Sequence, residues 1–345
     1  AIGVRKSRRV AASMLGGLAA LPAIGLLNAD AKKKKKKRKK KKRKKSCTPQ
    51  CGATCGGADG CGGTCACTSG STCEGGACQP CDVVHTGDDV ASAAALNARL
   101  AQGGTIRICP GRYQGRFKVR DGQVIGAGDG ADPASNTILD AAGTAQPAGF
   151  EAVVAAGLPG KTTHLSQVRI TGGSGQTSVG LLAEENSNTV YDALTVTGNP
   201  QGLIAQGNFT LRNSIISNNI ATDPSADGAG VALFAPQTSV IENCSITGNQ
   251  VLNGNGGGIF ASLGTLTING TEISGNTTGA GGSGGGLFVA SGSVFIDSGS
   301  RVTGNTAGNG GGGGIYRDGG TVTLFGASVL GNQPNQCFNA TCGSD

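Results

Sequence analysis

The sequence predicts an all-β fold, a parallel β-helix with three sheets in which short strands stack on the equivalent strands of the next coil. Three observations lead to this prediction. Glycine accounts for 63 of the 345 residues, whereas an average protein contains roughly 7%, and this excess excludes helical bundles and doubly wound α/β domains. Glycine does not recur at every third position, which excludes collagen. A repeat of 28 residues contains three short runs of alternating apolar and polar residues.

The repeat is clearest where glycine precedes an apolar residue. These apolar residues lie 28 positions apart, at Val231, Ile259, Leu287 and Ile315, and are followed by Ala232, Phe260, Phe288 and Tyr316. A second run recurs at Thr265, Ser293 and Thr321. Runs of this kind are typical of strands. Because no repeat has room for a crossover helix, each run must stack on its equivalent in the next repeat.

A third run places an apolar residue three positions before an asparagine. The asparagines are predicted to stack into a structural ladder at one corner of the coil, and they are Asn199, Asn219, Asn249, Asn276, Asn305 and Asn332. Cys244 occupies a small-residue position of the repeat, so we expect an inert buried thiol.

Less regular runs extend the pattern towards the amino terminus, and two of them, Leu165–Thr171 and Thr189–Val196, are each predicted as a single strand. A capping helix is predicted over Asp89–Ala101, with Asp88 or Asp89 as its N-cap. Its apolar face would include Val90, Leu96 and Leu100.

The amino-terminal part divides by composition and charge. Residues 1–31 have the pattern of an export signal that would enter a membrane transiently, with Ser7, Arg8 and Arg9 resembling a twin-arginine motif. The alternative is an uncleaved signal anchor. Both place the remaining chain outside the cytoplasm, so an extracellular or cell-surface location is expected.

Residues 32–45 form a polybasic spacer. Residues 1–45 hold 18 of the 29 Lys and Arg residues and one of the 21 acidic residues, so the remainder of the chain is acidic. A run of like charges remains extended and disordered. We expect Lys32–Lys45 either to bind an anionic cell-envelope polymer or to act as a solvated spacer. No specific binding of nucleic acid is expected.

Residues 46–82 form a cysteine-rich module, followed by the β-helix over 83–345. Such density in an exported chain favours disulfide bonds, and the alternative is a metal site using Cys65, Cys67, Cys78 and Cys81. Cys109 could dock the module onto the β-helix, and Cys337 with Cys342 could close a terminal loop. We predict no metal and no cofactor. The disulfide candidates are Cys47, Cys51, Cys55, Cys61, Cys65, Cys67, Cys73, Cys78, Cys81, Cys109, Cys337 and Cys342.

Three features carry a family resemblance: Thr105–Tyr113 after a short Ala-rich helix, Gln123–Gly128, and the repeated Gly-Gly-Gly-Ile with Ser-Gly-Asn. Over residues 83–335 the chain resembles right-handed parallel β-helix repeat proteins of the pectate-lyase-like superfold. It is most similar to bacterial exported members with repeats of the chlamydial polymorphic outer-membrane type, although it lacks their regular Phe-x-x-Asn motif. The resemblance implies a right-handed coil.

Many β-helix proteins degrade acidic polysaccharides, but the acidic residues here do not stack at equivalent repeat positions. We therefore predict a non-catalytic structural or adhesive protein whose repeats contact carbohydrate or protein. The alternatives are a polysaccharide lyase or glycoside hydrolase, and a metal-binding cysteine module on an inert rod. The ligand-binding candidates are the aromatic column and its neighbours, Phe260, Phe288, Tyr316, Arg317 and Asp318. If the aromatic rings point outwards they could contact sugars, and if they point inwards they belong to the core.

Overall fold

The computed structural model describes residues 67, 70–74, 76–145, 152–234, 238–308 and 311–342. The predictions for the export signal, for Lys32–Lys45 and for the cysteines from Cys47 to Cys65 lie outside these residues. The described part is a parallel β-solenoid of three sheets with nine strands each. The predicted fold class is therefore confirmed.

The chain passes through the three sheets in turn as it winds from coil to coil. Sheet 1 contains β4 (Gly111–Gln114), β7 (Thr137–Asp140), β10 (Val168–Thr171), β13 (Thr195–Thr197), β16 (Ile215–Ser217), β20 (Ser245–Thr247), β24 (Glu272–Ser274), β28 (Arg301–Thr303) and β31 (Ser328–Leu330). Sheet 2 contains β5 (Phe117–Val119), β8 (Ala152–Ala156), β11 (Val179–Ala183), β14 (Gln201–Ala205), β18 (Val231–Leu233), β22 (Ile259–Ala261), β26 (Leu287–Val289), β29 (Ile315–Arg317) and β32 (Cys337–Phe338). Sheet 3 contains β3 (Thr105–Arg107), β6 (Gly122–Ile125), β9 (Thr162–Ser166), β12 (Asn188–Asp192), β15 (Asn208–Arg212), β19 (Thr238–Glu242), β23 (Thr265–Asn269), β27 (Ser293–Asp297) and β30 (Thr321–Phe325).

A small parallel sheet, which the sequence did not indicate, lies on the connections between sheets 1 and 2. Its two-residue strands are β17 (Ile220–Ala221), β21 (Gln250–Val251) and β25 (Thr277–Thr278). Runs this short carry no readable alternation. The antiparallel hairpin of β1 (Ser71–Glu74) and β2 (Ala77–Pro80) precedes the coils.

Two predicted strands are each divided by a corner. The run Leu165–Thr171 belongs partly to β9 and partly to β10, because Gln167 between them has a φ of 57°. The run Thr189–Val196 is divided in the same way at Ala193, which has a φ of 52°. Positive φ is uncommon in residues other than glycine, so the sequence did not reveal either corner.

Helix α1 (Asp89–Leu100) covers the front end of the coil. The side chain of Asp88 accepts hydrogen bonds from the backbone N–H groups of Val90 and Ala91, which makes Asp88 the N-cap. Leu96 and Leu100 are buried in the core. Val90, predicted for the apolar face, is 59% exposed, because the turn that begins the helix points its side chain away from the coil.

The interior of the coil contains the apolar member of each repeat. Val231, Ile259, Leu287 and Ile315 are fully buried and lie in parallel register on neighbouring strands of sheet 2. The 28-residue spacing in the sequence is thus the length of one coil, and stacking equivalent residues produces a continuous core.

Three disulfides link described residues. Cys67 pairs with Cys78 at the hairpin, Cys81 pairs with Cys109 in the first coil, and Cys337 pairs with Cys342 at the far end. The expected docking bond through Cys109 and the terminal loop are therefore both present. Because Cys78 and Cys81 each pair with a different partner, neither has a free thiolate for the alternative metal site. Cys73 is also disulfide-bonded.

No helix within the described residues is both long enough and apolar enough to span a membrane.

Candidate functional site

The predicted aromatic column lies on the outer face of sheet 2. Phe260, Phe288 and Tyr316 alternate along their strands with buried core residues, so they point away from the interior of the coil. Ring centroids are 5.5 Å apart for Phe260 and Phe288 and 5.1 Å apart for Phe288 and Tyr316, and the rings are nearly parallel. Phe338 extends the stack by one more ring at 4.9 Å.

Although they point outwards, the inner rings are not accessible. Phe260 and Phe288 are each 7% exposed, because the loop before each ring folds back over the strand. These loops turn at Gly256 and Gly284, which have φ values of 69° and 67°. A Cβ at Gly284 would lie 2.8 Å from Cα of Phe288. The face of each inner ring is covered by its neighbouring rings, so a sugar could stack only at the ends of the column.

The other predicted ligand contacts do not converge on the column. Arg317 is in register with the buried Val289, on the opposite side of the strand from Tyr316. Its guanidinium donates to the carbonyl oxygens of Asn339 and Gly320, which joins the last coil to the terminal loop. Asp318 is exposed and follows the last residue of β29.

The six asparagines form a hydrogen-bonded column beside sheet 1. In the first five, Nδ2 donates to Oδ1 of the asparagine in the next coil, at distances between 2.9 and 3.3 Å. The backbone N–H of each of these five donates to the same oxygen. All six side chains are buried, so the column satisfies its own polar groups without water.

Three acidic residues, Asp192, Glu242 and Asp297, share one outward column of sheet 3, with Arg212 and Asn269 between them. The expectation that acidic residues do not stack at equivalent positions is therefore wrong for this column, while the other acidic residues lie elsewhere. Asp192 accepts hydrogen bonds from Arg212 and Asn213, and Glu184 forms an ion pair with Lys118 at 2.8 Å. Glu272 lies on sheet 1, whereas Asp297 lies on sheet 3, where a hydrogen bond from Ser300 lowers its pKa. Within the described ranges, no group of three or more His, Cys, Asp or Glu residues could hold a metal ion.

Cys244 is a free and buried thiol whose Sγ donates to the carbonyl oxygen of Glu242. Burial is the main cause that raises the pKa of Cys244, to about 11. The thiol therefore stays protonated at neutral pH, which makes it a poor nucleophile.

Sheet 3 presents a different surface, which the sequence analysis did not single out. Two outward columns run along its strands, and none of their members is Asp, Glu, Lys or Arg. The first column is Thr162, Asn188, Asn208, Thr238, Thr265, Ser293 and Thr321, and the second is His164, Val190, Thr210, Val240, Thr267, Phe295 and Thr323. We call these two columns the neutral face.

The neutral face has polar groups on one side and methyl or phenyl groups on the other. Asn208 donates from Nδ2 to Oδ1 of Asn188 at 2.9 Å, and Thr321 donates to the hydroxyl of Ser293 at 3.0 Å. Between Asn188 and Val240 the face contains a shallow depression of about 390 Å³. Period-two alternation in the sequence could have indicated which residues of each strand point outwards. The residues form a continuous face only when the coils are stacked.

A protein-family model described as a right-handed β-helix region matches residues 158–333, half of the chain. The match covers the coils that carry the asparagine column and most of the neutral face. No curated protein and no solved structure matches the chain.

Proposed function

We propose that this chain, which belongs to the right-handed β-helix family, is a non-catalytic protein of the cell surface that binds neutral polysaccharide along the neutral face. The fold alone does not distinguish a binding protein from an enzyme, since β-helix repeats occur in adhesive and in polysaccharide-degrading proteins. The observation that carries the proposal is the uncharged pair of columns on sheet 3.

The chemistry of the neutral face matches that of a glycan chain. A sugar ring presents C–H groups on its faces and hydroxyl groups around its edge. The methyl and phenyl groups of Val240, Thr267 and Phe295 can contact the C–H groups, while Asn208 and Thr238 can exchange hydrogen bonds with hydroxyls. Neighbouring strands are about 4.8 Å apart, so equivalent contacts recur over a distance similar to one sugar unit.

The absence of charge from these two columns favours a neutral polymer over an acidic one. Burying a charged group without a partner costs several kcal/mol, and the columns offer no Lys or Arg to neutralise a uronate or sulfate. The described part of the adjacent outward column contains three acidic residues, Asp192, Glu242 and Asp297, and one cation, Arg212, which pairs with Asp192. Its net negative charge would repel such a ligand.

The disulfides support an extracellular location, since such bonds persist in oxidising compartments. We extend the proposal to the polybasic spacer: Lys32–Lys45 would hold the protein to an anionic polymer of the cell envelope.

Binding to immobilised polysaccharides tests the proposed function. The full chain would be measured against cellulose, dextran, mannan and polygalacturonate, alongside Thr267→Lys on the neutral face. Thr303→Lys is the matched control because Thr303 is an outward, half-buried threonine on sheet 1. We expect binding to a neutral polymer that Thr267→Lys weakens at least tenfold and Thr303→Lys leaves unchanged.

Two results would contradict the proposal. One is equal binding by the wild type and Thr267→Lys, or binding to none of the neutral polymers. The other is the release of reducing or unsaturated ends from any polymer, which would show that the protein is an enzyme.

A further inference from the structure

The outer face of sheet 2 opens at one place into a pocket of about 150 Å³. We propose that this pocket binds a single neutral sugar residue, with the sugar ring stacked on Phe234. The residues that line it are Thr177, Gln201, Ile204, Asp223, Ser225, Ala226, Asp227 and Phe234. The ligand class rests on the proposed function, but the pocket lies on a different sheet from the neutral face.

The pocket lies where the aromatic column ends. Ala232 holds the column position between Ile204 and Phe260, and its methyl group is too small to continue the stack. Phe234, two residues later, contacts Phe260 with a centroid distance of 5.5 Å and an interplanar angle of 40°. By contrast, the interplanar angle is 8° between Phe260 and Phe288 and 3° between Phe288 and Tyr316.

This tilt leaves Phe234 accessible. Its side chain is 42% exposed, compared with 7% for Phe260 and Phe288. The accessible phenyl ring and Ile204 supply apolar groups to the lining of the pocket. Aromatic rings of this kind bury large apolar areas and prefer specific stacking geometries.

The remaining lining is polar, and its acceptors are oriented by the protein. Asp223 accepts hydrogen bonds through Oδ1 from the backbone N–H and the hydroxyl of Ser225. Asp227 accepts through Oδ1 from the backbone N–H of Asn255 at 2.7 Å and from its side-chain amide at 3.3 Å. In both residues Oδ2 makes no hydrogen bond to the described residues, so it can accept one from a ligand hydroxyl.

The amide of Gln201 is fixed as well. Its Nε2 donates to the carbonyl oxygens of Asp227 and Gly228, at 2.8 and 3.3 Å, so Oε1 is directed away from them. An apolar lining with a few oriented polar groups is the usual construction of a small-molecule site. Free carboxylate and amide oxygens in the same pocket as an aromatic ring suit a ligand with several hydroxyl donors and an apolar face.

The charge of the pocket further restricts the class of ligand that can bind. The described lining contains two carboxylates and no Lys, Arg or His. An acidic sugar would be repelled. Burial raises the pKa of Asp227, and the hydrogen bonds from Ser225 lower the pKa of Asp223. Hydroxyl donors from a neutral sugar would stabilise both ionised groups.

Titration with monosaccharides tests the pocket separately from the neutral face. Methyl glycosides of glucose, galactose, mannose and N-acetylglucosamine would be titrated into the full chain and followed by calorimetry and saturation-transfer NMR. Sodium galacturonate and tetramethylammonium chloride serve as the anionic and cationic comparison ligands. The variants are Phe234→Ala and Asp223→Asn, and the control is Phe325→Ala, which removes a ring that is 61% exposed on sheet 3.

We expect at least one neutral glycoside to bind, with an affinity at least tenfold lower in Phe234→Ala and severalfold lower in Asp223→Asn. Phe325→Ala should bind it like the wild type. If the chain binds no polysaccharide but this pattern is observed, the pocket proposal is supported and the neutral-face proposal is not. Absence of glycoside binding, equal binding by Phe234→Ala, or tighter binding of galacturonate or tetramethylammonium would overturn the proposal.

Discussion

The side chain of Asn332 donates from Nδ2 to Oε1 of Gln336 at 2.9 Å, and the backbone N–H of Asn332 donates to the same oxygen at 3.1 Å. In the preceding coils, Oδ1 of an asparagine on the next coil accepts both of these bonds. Gln336 lies four positions later in the chain, and its longer side chain reaches back to the same place. The asparagine column therefore ends with its last donors satisfied.

Replacing a middle member of this column should destabilise the coil. In Asn276→Ala, the backbone N–H of Asn249 loses its acceptor, Nδ2 of Asn249 loses one of its two acceptors, and the carbonyl oxygen of Ile246 loses a donor. Buried polar groups without partners cost about 1–3 kcal/mol each, so we expect a loss of about 2–4 kcal/mol. Urea unfolding measures this loss.

Asn269→Ala is the control for this measurement, because Asn269 lies in an outward column of sheet 3 and is half-buried. Equal urea midpoints for Asn276→Ala and Asn269→Ala would show that the buried column does not stabilise the fold.

The glycine that precedes each core residue has a steric role. A Cβ at Gly258 would lie 2.6 Å from the carbonyl oxygen of Gly286 and 2.9 Å from Nδ2 of Asn276. Because both neighbours are fixed by hydrogen bonds, Gly258→Ala should cost about 1–3 kcal/mol through overpacking. A decrease in the thermal midpoint would reveal it.

Gly281→Ala provides the comparison for this substitution. A Cβ at Gly281 meets no atom within 4 Å, so its thermal midpoint should remain within about 2 °C of the wild type. If Gly258→Ala and Gly281→Ala have the same thermal midpoint, close packing is not the reason for glycine at position 258.

The buried thiol predicts a dependence of stability on alkaline pH. Burial raises the pKa of Cys244 from 9.0 to about 11, so the folded state favours the protonated form. The resulting stabilisation is complete below pH 9 and is lost as the pH rises towards 11, amounting to at most about 3 kcal/mol.

Comparison of the wild type with Cys244→Ala isolates this contribution, because the other alkaline groups are the same in both proteins. Urea midpoints measured from pH 8 to pH 11 should fall more steeply for the wild type. Parallel curves would mean that the thiol has the same pKa in the folded and unfolded states.

The proposed attachment through Lys32–Lys45 predicts that retention on cells depends on salt. Binding of a polybasic segment to a polyanion weakens steeply with ionic strength. Deleting residues 32–45 should release the protein into the medium, and high salt should release the wild type, as measured by immunoblotting of cell and medium fractions. Unchanged retention after the deletion would exclude this attachment.

The sequence by itself determined the repeat, and through it the fold. Each coil must place the same residue types at the same corner, so the 28-residue spacing of Val231, Ile259, Leu287 and Ile315 was sufficient to predict stacked strands. The asparagines, which lie 20 to 30 positions apart, followed instead from the apolar residue three positions before each of them. Periodicity of this kind can be read from the sequence without knowing which residues face each other in the folded protein.

The tertiary structure decided which repeated positions are accessible. Phe260 and Phe234 are both phenylalanines near a strand of sheet 2, yet one is covered by its neighbours and a Gly-rich loop, while the other borders an open pocket. Gln336 completes the asparagine column from outside the repeat spacing. Whether a repeated residue is accessible, and how the asparagine column ends, depends on loops and on the residues of adjacent coils. The spacing of residues along the sequence does not specify either property.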